Sequence, residues 1–456
     1  MRTGYSALVV LGAILLGPIS QAFAEQDSVL ELETLTGDWG GVRKQWLDLG
    51  VEFGLAAVVE TLSNPIGGVR QLTIYDGLIT PSLKLDLRKI VNWPGASFYV
   101  DGYQISGRGL TRYALGNNPF TVSSIEALAS TRLHDLWLQQ EFIDGQVSLR
   151  AGQIALDDEF YISQYSAFFV NQTFGCPDIL GVDLPSGGPC YPFATPGARL
   201  RAAPTAALTF SAAAFNGNPA PPGPGDPQIR NSSGTNFLIG QGGSLILAEA
   251  TYSFDPELIA GQMLSDVKLG GWYHTATFPD LRRDTLGRSL ADPSGNGIAA
   301  SHGGNFGLYF VLDKMIWREP KTATQGLAAF LRIGGAPPNR NLVSLEVDAG
   351  LTYKGLFPGR EFDILGMGVS YRRIGNAARR FDRDEILFTG LGGPVRDYEH
   401  LLEITYQARL TPWWFLQPDL QLIFHPGGRI AALSSAPAMR PISNALVVGL
   451  RSSVPF

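Results

Sequence analysis

Lysine is scarce in this chain of 456 residues, with seven against 28 arginines. There are five histidines, at 134, 274, 302, 400 and 425, and they form no metal-ligand spacing. Cysteine occurs twice, at 176 and 190. Positive charge does not predominate: 35 basic residues stand against 41 acidic ones, a formal net of −6, which excludes the basic balance of a nucleic-acid binder. No glycine–serine nucleophile motif and no phosphate-binding loop appears. After residue 24 no uncharged apolar run is long enough for a membrane helix. Two classes survive these absences: an exported soluble β-protein, and a transmembrane β-barrel, whose signal per segment is weak by nature.

Residues 1–24 are expected to be removed. Arg2 supplies a positive start, Ala7 to Leu16 a short apolar core, and Ala22-Phe23-Ala24 a small-x-small cleavage site. An apolar run this short does not cross a bilayer, so the segment is an export signal rather than an anchor. The stretch 25–50 is polar and unlike the chain beyond it. Asp38 and Gly50 suggest the N-cap and the stop of a short helix, expected near the barrel entrance and without chemistry.

From Val51 onward the period is two. In Leu345 to Lys354, residues Leu345, Val347, Ala349, Leu351 and Tyr353 share one face, while Glu346, Asp348, Gly350, Thr352 and Lys354 share the other. Ten such residues suffice for a tilted strand to cross a bilayer. His400–Leu410 and Leu416–Phe424 repeat the pattern, and Leu83, Leu85 and Leu87 flank Lys84 and Asp86. Any one of these strands would also suit a soluble sandwich.

Loop lengths decide between the two. About sixteen strands are expected, starting near 51, 70, 96, 133, 146, 197, 207, 243, 265, 304, 325, 344, 363, 399, 414 and 444. Connections after even-numbered strands are mostly short, as at Ile143-Asp144-Gly145 and Thr411-Pro412-Trp413. Several after odd-numbered strands are long, near 106–132, 157–196, 216–242, 279–303, 374–398 and 426–443. Short turns on one rim and long loops on the other mark an outer-membrane barrel, and a sandwich has no reason to keep that parity. Trp93, Trp317, Phe357, Trp413 and Trp414 fall at the short connections, as an interfacial girdle requires. The chain ends in an amphipathic strand closing on Phe456.

These residues also resemble a family. Leu35-Thr36-Gly37-Asp38-Trp39-Gly40-Gly41-Val42-Arg43 with Gly50-Val51 resembles the opening motif of the carbohydrate-selective porins of the OprB type. Leu156-Asp157-Asp158-Glu159-Phe160 with Phe174-Gly175 resembles the start of that family's long third loop. Glu403-Ile404-Thr405-Tyr406-Gln407, Thr411-Pro412-Trp413, the run from Leu416 to Gln421 and His425-Pro426-Gly427-Gly428 resemble its penultimate hairpin, and the run from Asn444 to Arg451 its last strand. The matches cover nearly the whole chain after the leader. The resemblance implies a sixteen-stranded antiparallel barrel in the bacterial outer membrane that passes sugars, with extracellular loops folded into its lumen. The cysteine pair departs from the general pattern.

The long loop, 157–196, is the expected constriction. Arg150 precedes it and Arg199 and Arg201 follow it, each alternating with apolar neighbours. A charge facing lipid at mid-depth costs about 2–4 kcal/mol, so these arginines belong in the lumen. Glu346, Asp348, Arg332 and Arg409 are expected there by the same alternation. Each arginine either donates to sugar hydroxyls or stiffens the wall by pairing with an acid. Asp157, Asp158 and Glu159 line the path on this reading, with a calcium ion on 157–159 as a further expectation and glycoside hydrolysis disfavoured. Most of Tyr161, Tyr165, Phe168, Phe169, Phe174, Tyr191 and Phe193 are expected to pack, with one or two lining the path. Cys176 and Cys190, in one exported loop without histidine, are expected to form a disulfide, not a metal site, contributing about 3 kcal/mol against loop disorder.

The expected function is passive diffusion of neutral mono- or oligosaccharides through an integral outer-membrane channel, with membrane lipid and sugar as partners and no nucleic acid. The rival is a general or anion-preferring porin, which arginines in the lumen would also suit. No enzymatic activity or cofactor is expected, and monomer and trimer both remain open.

Overall fold

The computed structural model describes residues 32–116, 118–236, 238–255, 264–320, 322, 324–432 and 439–456. The expected leader lies outside the described residues.

Alternating residues roll into one wall. β1 (Val51–Gly68), β2 (Thr73–Asp86), β3 (Ala96–Gly107) and β4 (Ser130–Phe142) begin it. β5 (Val147–Ile154), β6 (Thr195–Ala202), β7 (Leu208–Asn216) and β8 (Ser244–Ser253) come next. β9 (Asp266–Asp284), β10 (Ala299–Arg318), β11 (Gly326–Gly335) and β12 (Val343–Lys354) continue it. β13 (Ile364–Ile374), β14 (Tyr398–Thr411), β15 (Trp414–Phe424) and β16 (Ser443–Pro455) complete it. Each strand pairs with its chain neighbours, and β16 returns antiparallel to β1, closing the barrel. All sixteen start within about five residues of the expected positions. At the seam Glu60 faces Arg451 across the register and pairs with it at 2.8 Å. Closure leaves no unpaired strand edge, which a bilayer would not tolerate.

Burial is inverted relative to a soluble protein. Outward-facing Leu269 and Leu308 are 65% and 69% exposed, while inward-facing Arg332, Glu346 and Asp348 are 0% exposed. Leucine outside and charge inside is the order that a hydrocarbon solvent imposes. On the short-turn rim Trp93, Trp317 and Phe357 are exposed, as the girdle requires, but Trp413 is buried and does not belong to it.

The parity of the connections holds, with differences in detail. β9 and β10, at 19 and 20 residues, run well past the ~9–11 needed to cross a bilayer. Their loop is therefore 285–298, shorter than the expected 279–303. On the rim of long loops two connections stay short, 69–72 and 336–342. β2 stops at Asp86, whose carboxylate caps α1 (Leu87–Val91) by accepting from Arg88 N at 3.0 Å. Leu87 thus belongs to that helix instead of extending the strand.

The short helix before the barrel is Val42–Asp48, preceded by a 3-10 turn at Trp39–Gly41. Its N-cap is Gly41 rather than Asp38, although Asp38 does accept from Lys44 N at 3.1 Å. Gly50 ends it with φ +91°, where a Cβ would sit 2.9 Å from Asp86 O. A left-handed residue this close to a neighbouring backbone has to be glycine. Arg43 donates to Phe456 O at 2.7 Å, which fastens the helix beneath the closing strand.

Candidate functional site: the constriction of the lumen

The connection between β5 and β6, residues 155–194, folds inward and fills one side of the barrel. Its aromatics explain why it stays there. Tyr161 stacks on Tyr309 of β10 with ring centres 4.2 Å apart. Phe169 and Phe174 lie against Phe330 of β11 at 5.7 and 5.9 Å, and Phe160 meets Phe215 of β7 edge-on at 6.4 Å. Tyr161, Phe160, Phe169, Phe174 and Phe193 are buried, so these rings pack and do not face a solute. Phe168 and Tyr191 keep part of their surface. Cys176 and Cys190 are joined by a disulfide within the same loop.

Packing alone would not orient the loop, and wall carboxylates do the rest. Glu249 of β8 accepts from Tyr161 N at 3.0 Å. Asp313 of β10 accepts from Gln164 N at 2.9 Å. Glu346 of β12 accepts from Asp178 N and Ile179 N, both at 3.1 Å, and from Thr173 Oγ1 at 3.0 Å. Glu403 of β14 accepts from Val170 N at 2.6 Å and Asn171 N at 3.0 Å. All but the Thr173 bond come from backbone N–H, and a hydrogen bond to a carboxylate is worth about 1.5–3 kcal/mol. Arg332 of β11 pairs with Asp348 at 2.7 Å and donates to the carbonyls of Gly175, at 3.0 Å, and Thr173. Arg372 of β13 joins loop Asp178, at 2.5 Å, to Glu399 of β14. Burial raises the Asp178 carboxyl above the usual carboxylate range, while Arg372 beside it pulls the other way. Arg332, Glu346 and Asp348 therefore point inward as expected, but they lie under the loop and present no surface to a solute. Glu249, Asp313 and Arg372 were not among the expected site residues. Their alternation marks them as inward-facing, yet nothing local says that a loop will cover them.

A second cluster of charges joins the start of the loop to β4, β5 and β6. Glu159 is held between Arg150 of β5, at 2.5 Å, and Arg199 of β6, at 2.8 Å. The two arginines face each other directly in the register. Gln139 of β4 accepts from Arg150 Nε at 3.1 Å and from Arg199 Nη2 at 3.1 Å, so the guanidiniums are fixed on both flanks. Arg150 also lies over the Trp137 ring at 3.7 Å. Arg201, two residues toward the short turn, is exposed. Arg409 sits elsewhere: it lies over Phe362 at 4.5 Å and donates to Pro412 O at 3.3 Å, beside a short turn.

The three consecutive carboxylates take separate partners. Asp157 accepts from Tyr191 N at 3.1 Å, Glu159 holds the arginines, and Asp158 lies beside His134 and Asp135 of β4. Two of the three are thus engaged with protein donors. Burial pushes Asp157 up to about 6, with the Asp158 charge adding to it. Asp158 is raised for the same first reason although its surface is open, because water in a narrow lumen solvates a charge less well than bulk.

Beside Arg150 the lumen holds a vestibule of about 690 Å³ that reaches the short-turn rim. Above the loop a smaller cavity of about 260 Å³ is lined by Arg108, Arg112 and Glu126 of the 108–129 loop and by Gln228. Burial pushes Glu126 up to about 7, against the Thr111 and Arg112 donors that lower it.

A closed sixteen-strand wall with lipid-facing leucines, a loop folded into the lumen and a fixed row of charges defines an outer-membrane channel of the porin class. The family profile for the carbohydrate-selective porins, OprB family, matches residues 70–456, and the chain belongs to that family. Porin B of Pseudomonas aeruginosa is 26% identical over 463 residues, covering 98% of this chain and 96% of that protein. A putative porin of Acinetobacter baylyi, QuiX, is 22% identical over 100% of this chain and 99% of its own length. Among solved structures, OprB of Pseudomonas putida at high pH superposes with a TM-score of 0.81 at 24% identity, covering 96% of this chain and 100% of that one.

Proposed function

We infer that the protein is an outer-membrane channel through which small neutral carbohydrates diffuse down their gradient. The observation that carries this reading is the row Arg150–Glu159–Arg199, in which Arg150 borders the vestibule with 18% of its side chain exposed while Glu159 and Arg199 lie behind it. A sugar entering a narrow passage gives up water, and each hydroxyl needs a donor or an acceptor in return. The Arg150 guanidinium and the Gln139 amide, which line the vestibule, supply donors, and the partly covered Glu159 carboxylate supplies an acceptor. Because Arg150 and Arg199 are already tied to Glu159, each can spare only part of its donors. Each contact is therefore weak, which a channel requires so that solute leaves as readily as it enters. Membership of a porin family supports a channel over an enzyme.

A rival reading favours small anions, since the row carries two cations against one anion. Liposome swelling with a panel of sugars, amino acids and organic anions separates the two. Hexoses are expected to enter faster than other solutes of equal size. Rates that follow size alone, or an advantage confined to anions, would overturn the sugar reading.

A further inference from the structure

The vestibule beside the constriction is lined mostly by side chains that take no part in the Arg150–Glu159–Arg199 row. The strand register sets them out: Glu52 of β1 faces Lys84 of β2, Lys84 faces Tyr99 of β3, and Tyr99 faces Trp137 of β4. In the next row toward the short turns stand Asp86, Ser97, Gln139 and Arg150. Residues of both rows line one cavity of about 690 Å³, within the ~300–1,000 Å³ typical of small-molecule sites.

Trp137 is covered by Tyr99 at 5.1 Å, with planes 23° apart, and by Arg150 at 3.7 Å, so its own faces are taken. Tyr99 is different. One face lies on Trp137, and its hydroxyl is tied to Asp101 at 3.1 Å, so the ring cannot swing. Its half-buried ring lines the cavity, next to Lys84 in the register. Lys84 reaches away from the ring to Glu52, at 3.8 Å, with both side chains more than half exposed. A rigid aromatic plate with an ammonium and carboxylates around its rim offers one apolar surface and several hydrogen-bonding groups. A pyranose has the same division: an apolar face of C–H bonds and a rim of hydroxyls.

We propose that the vestibule holds a second sugar subsite, in which a hexopyranose lies on the open face of Tyr99 and exchanges hydrogen bonds with Lys84, Glu52 and Asp86. This rests on the sugar-channel reading and adds to it a second position beside the constriction, in the cavity that reaches the short-turn rim at Gly50, Arg88 and Gly95. Sugar entering from the short-turn rim would reach this plate in the same cavity that borders Arg150. The channel would then show two binding steps, with an affinity that depends on the side of addition.

The test is current block in planar bilayers with channels inserted in one orientation, with glucose or maltose added to one side at a time. Tyr99→Leu keeps an apolar side chain but removes the plate. It is expected to raise the half-blocking concentration for periplasmic addition about fivefold, the scale of a lost aromatic contact. Open-channel conductance and the anion-to-cation ratio should not change, and Tyr99→Phe should keep the wild-type block. Unaltered heat-modifiable migration of both variants in a gel shows that the barrel has formed. Wild-type block from the periplasmic side in Tyr99→Leu overturns the subsite. So does block in the wild-type protein from the extracellular side alone, which leaves the sugar channel standing. Absence of block from either side, with swelling rates that follow size only, overturns both readings.

Discussion

Replacing Glu159 with glutamine is the most direct probe of the constriction. The carboxylate sits 2.5 Å from Arg150 and 2.8 Å from Arg199, so the present row carries a net charge near +1. The amide can still accept a hydrogen bond, which preserves the geometry, but the row then carries about +2. A unit charge about 6 Å from a permeating ion in water-like surroundings is worth about 0.7 kcal/mol. That is a factor of about 3 in occupancy, favouring anions and disfavouring cations, so the anion-to-cation permeability ratio should rise about tenfold. Reversal potentials across a salt gradient measure it directly. The effect should be largest at low ionic strength and should collapse near 1 M salt, where the screening length falls to about 3 Å. A ratio unchanged within about a factor of two at low salt would show that Glu159 does not stand at the narrow point, and the assignment of the row would fail.

Two further outcomes concern the loop. In Arg332→Met the buried Asp348 loses its cation and two loop carbonyls lose a donor, a loss of about 3–5 kcal/mol. The barrel should still form, while the 155–194 loop should become open to proteolysis and the current noisy; a loop as protected as in the wild type would refute the anchoring role. Lowering the pH from 8 to 5 should protonate Asp157, whose folded value of about 6 lies above its unfolded 3.8. Its contribution to stability is therefore full below about pH 4 and is lost as pH rises through about 6, so the loop should be firmer at pH 5. The anion-to-cation ratio should rise over the same range, and Asp157→Asn should remove the step near pH 6; a step that persists in the variant would assign it to another group.

Much of this protein is legible in one dimension because a bilayer solves the folding problem strand by strand. Each membrane-crossing strand must separate hydrocarbon from lumen on its own, so Leu345 to Lys354 announces both its faces without reference to any partner. Loop parity, the even strand count and the inward direction of Arg150, Arg199, Glu346 and Asp348 follow from the same constraint. The capping of a helix by Asp86 was not legible, because the alternation through Leu83, Leu85 and Leu87 continues past the point where the chain turns.

What alternation does not state is which inward charges a solute can reach. Arg332 and Arg150 read alike as single inward arginines, yet one is sealed beneath the loop and the other stands beside the vestibule. That difference was decided in three dimensions, by where residues 155–194 settle. Their place depends on aromatic contacts and backbone-to-carboxylate bonds between positions up to about 230 residues apart, such as Val170 and Glu403. Local sequence records the direction of each side chain, because that is a property of one strand in its solvent. Access to the lumen is a property of the closed barrel and its loop together, and no single strand carries it.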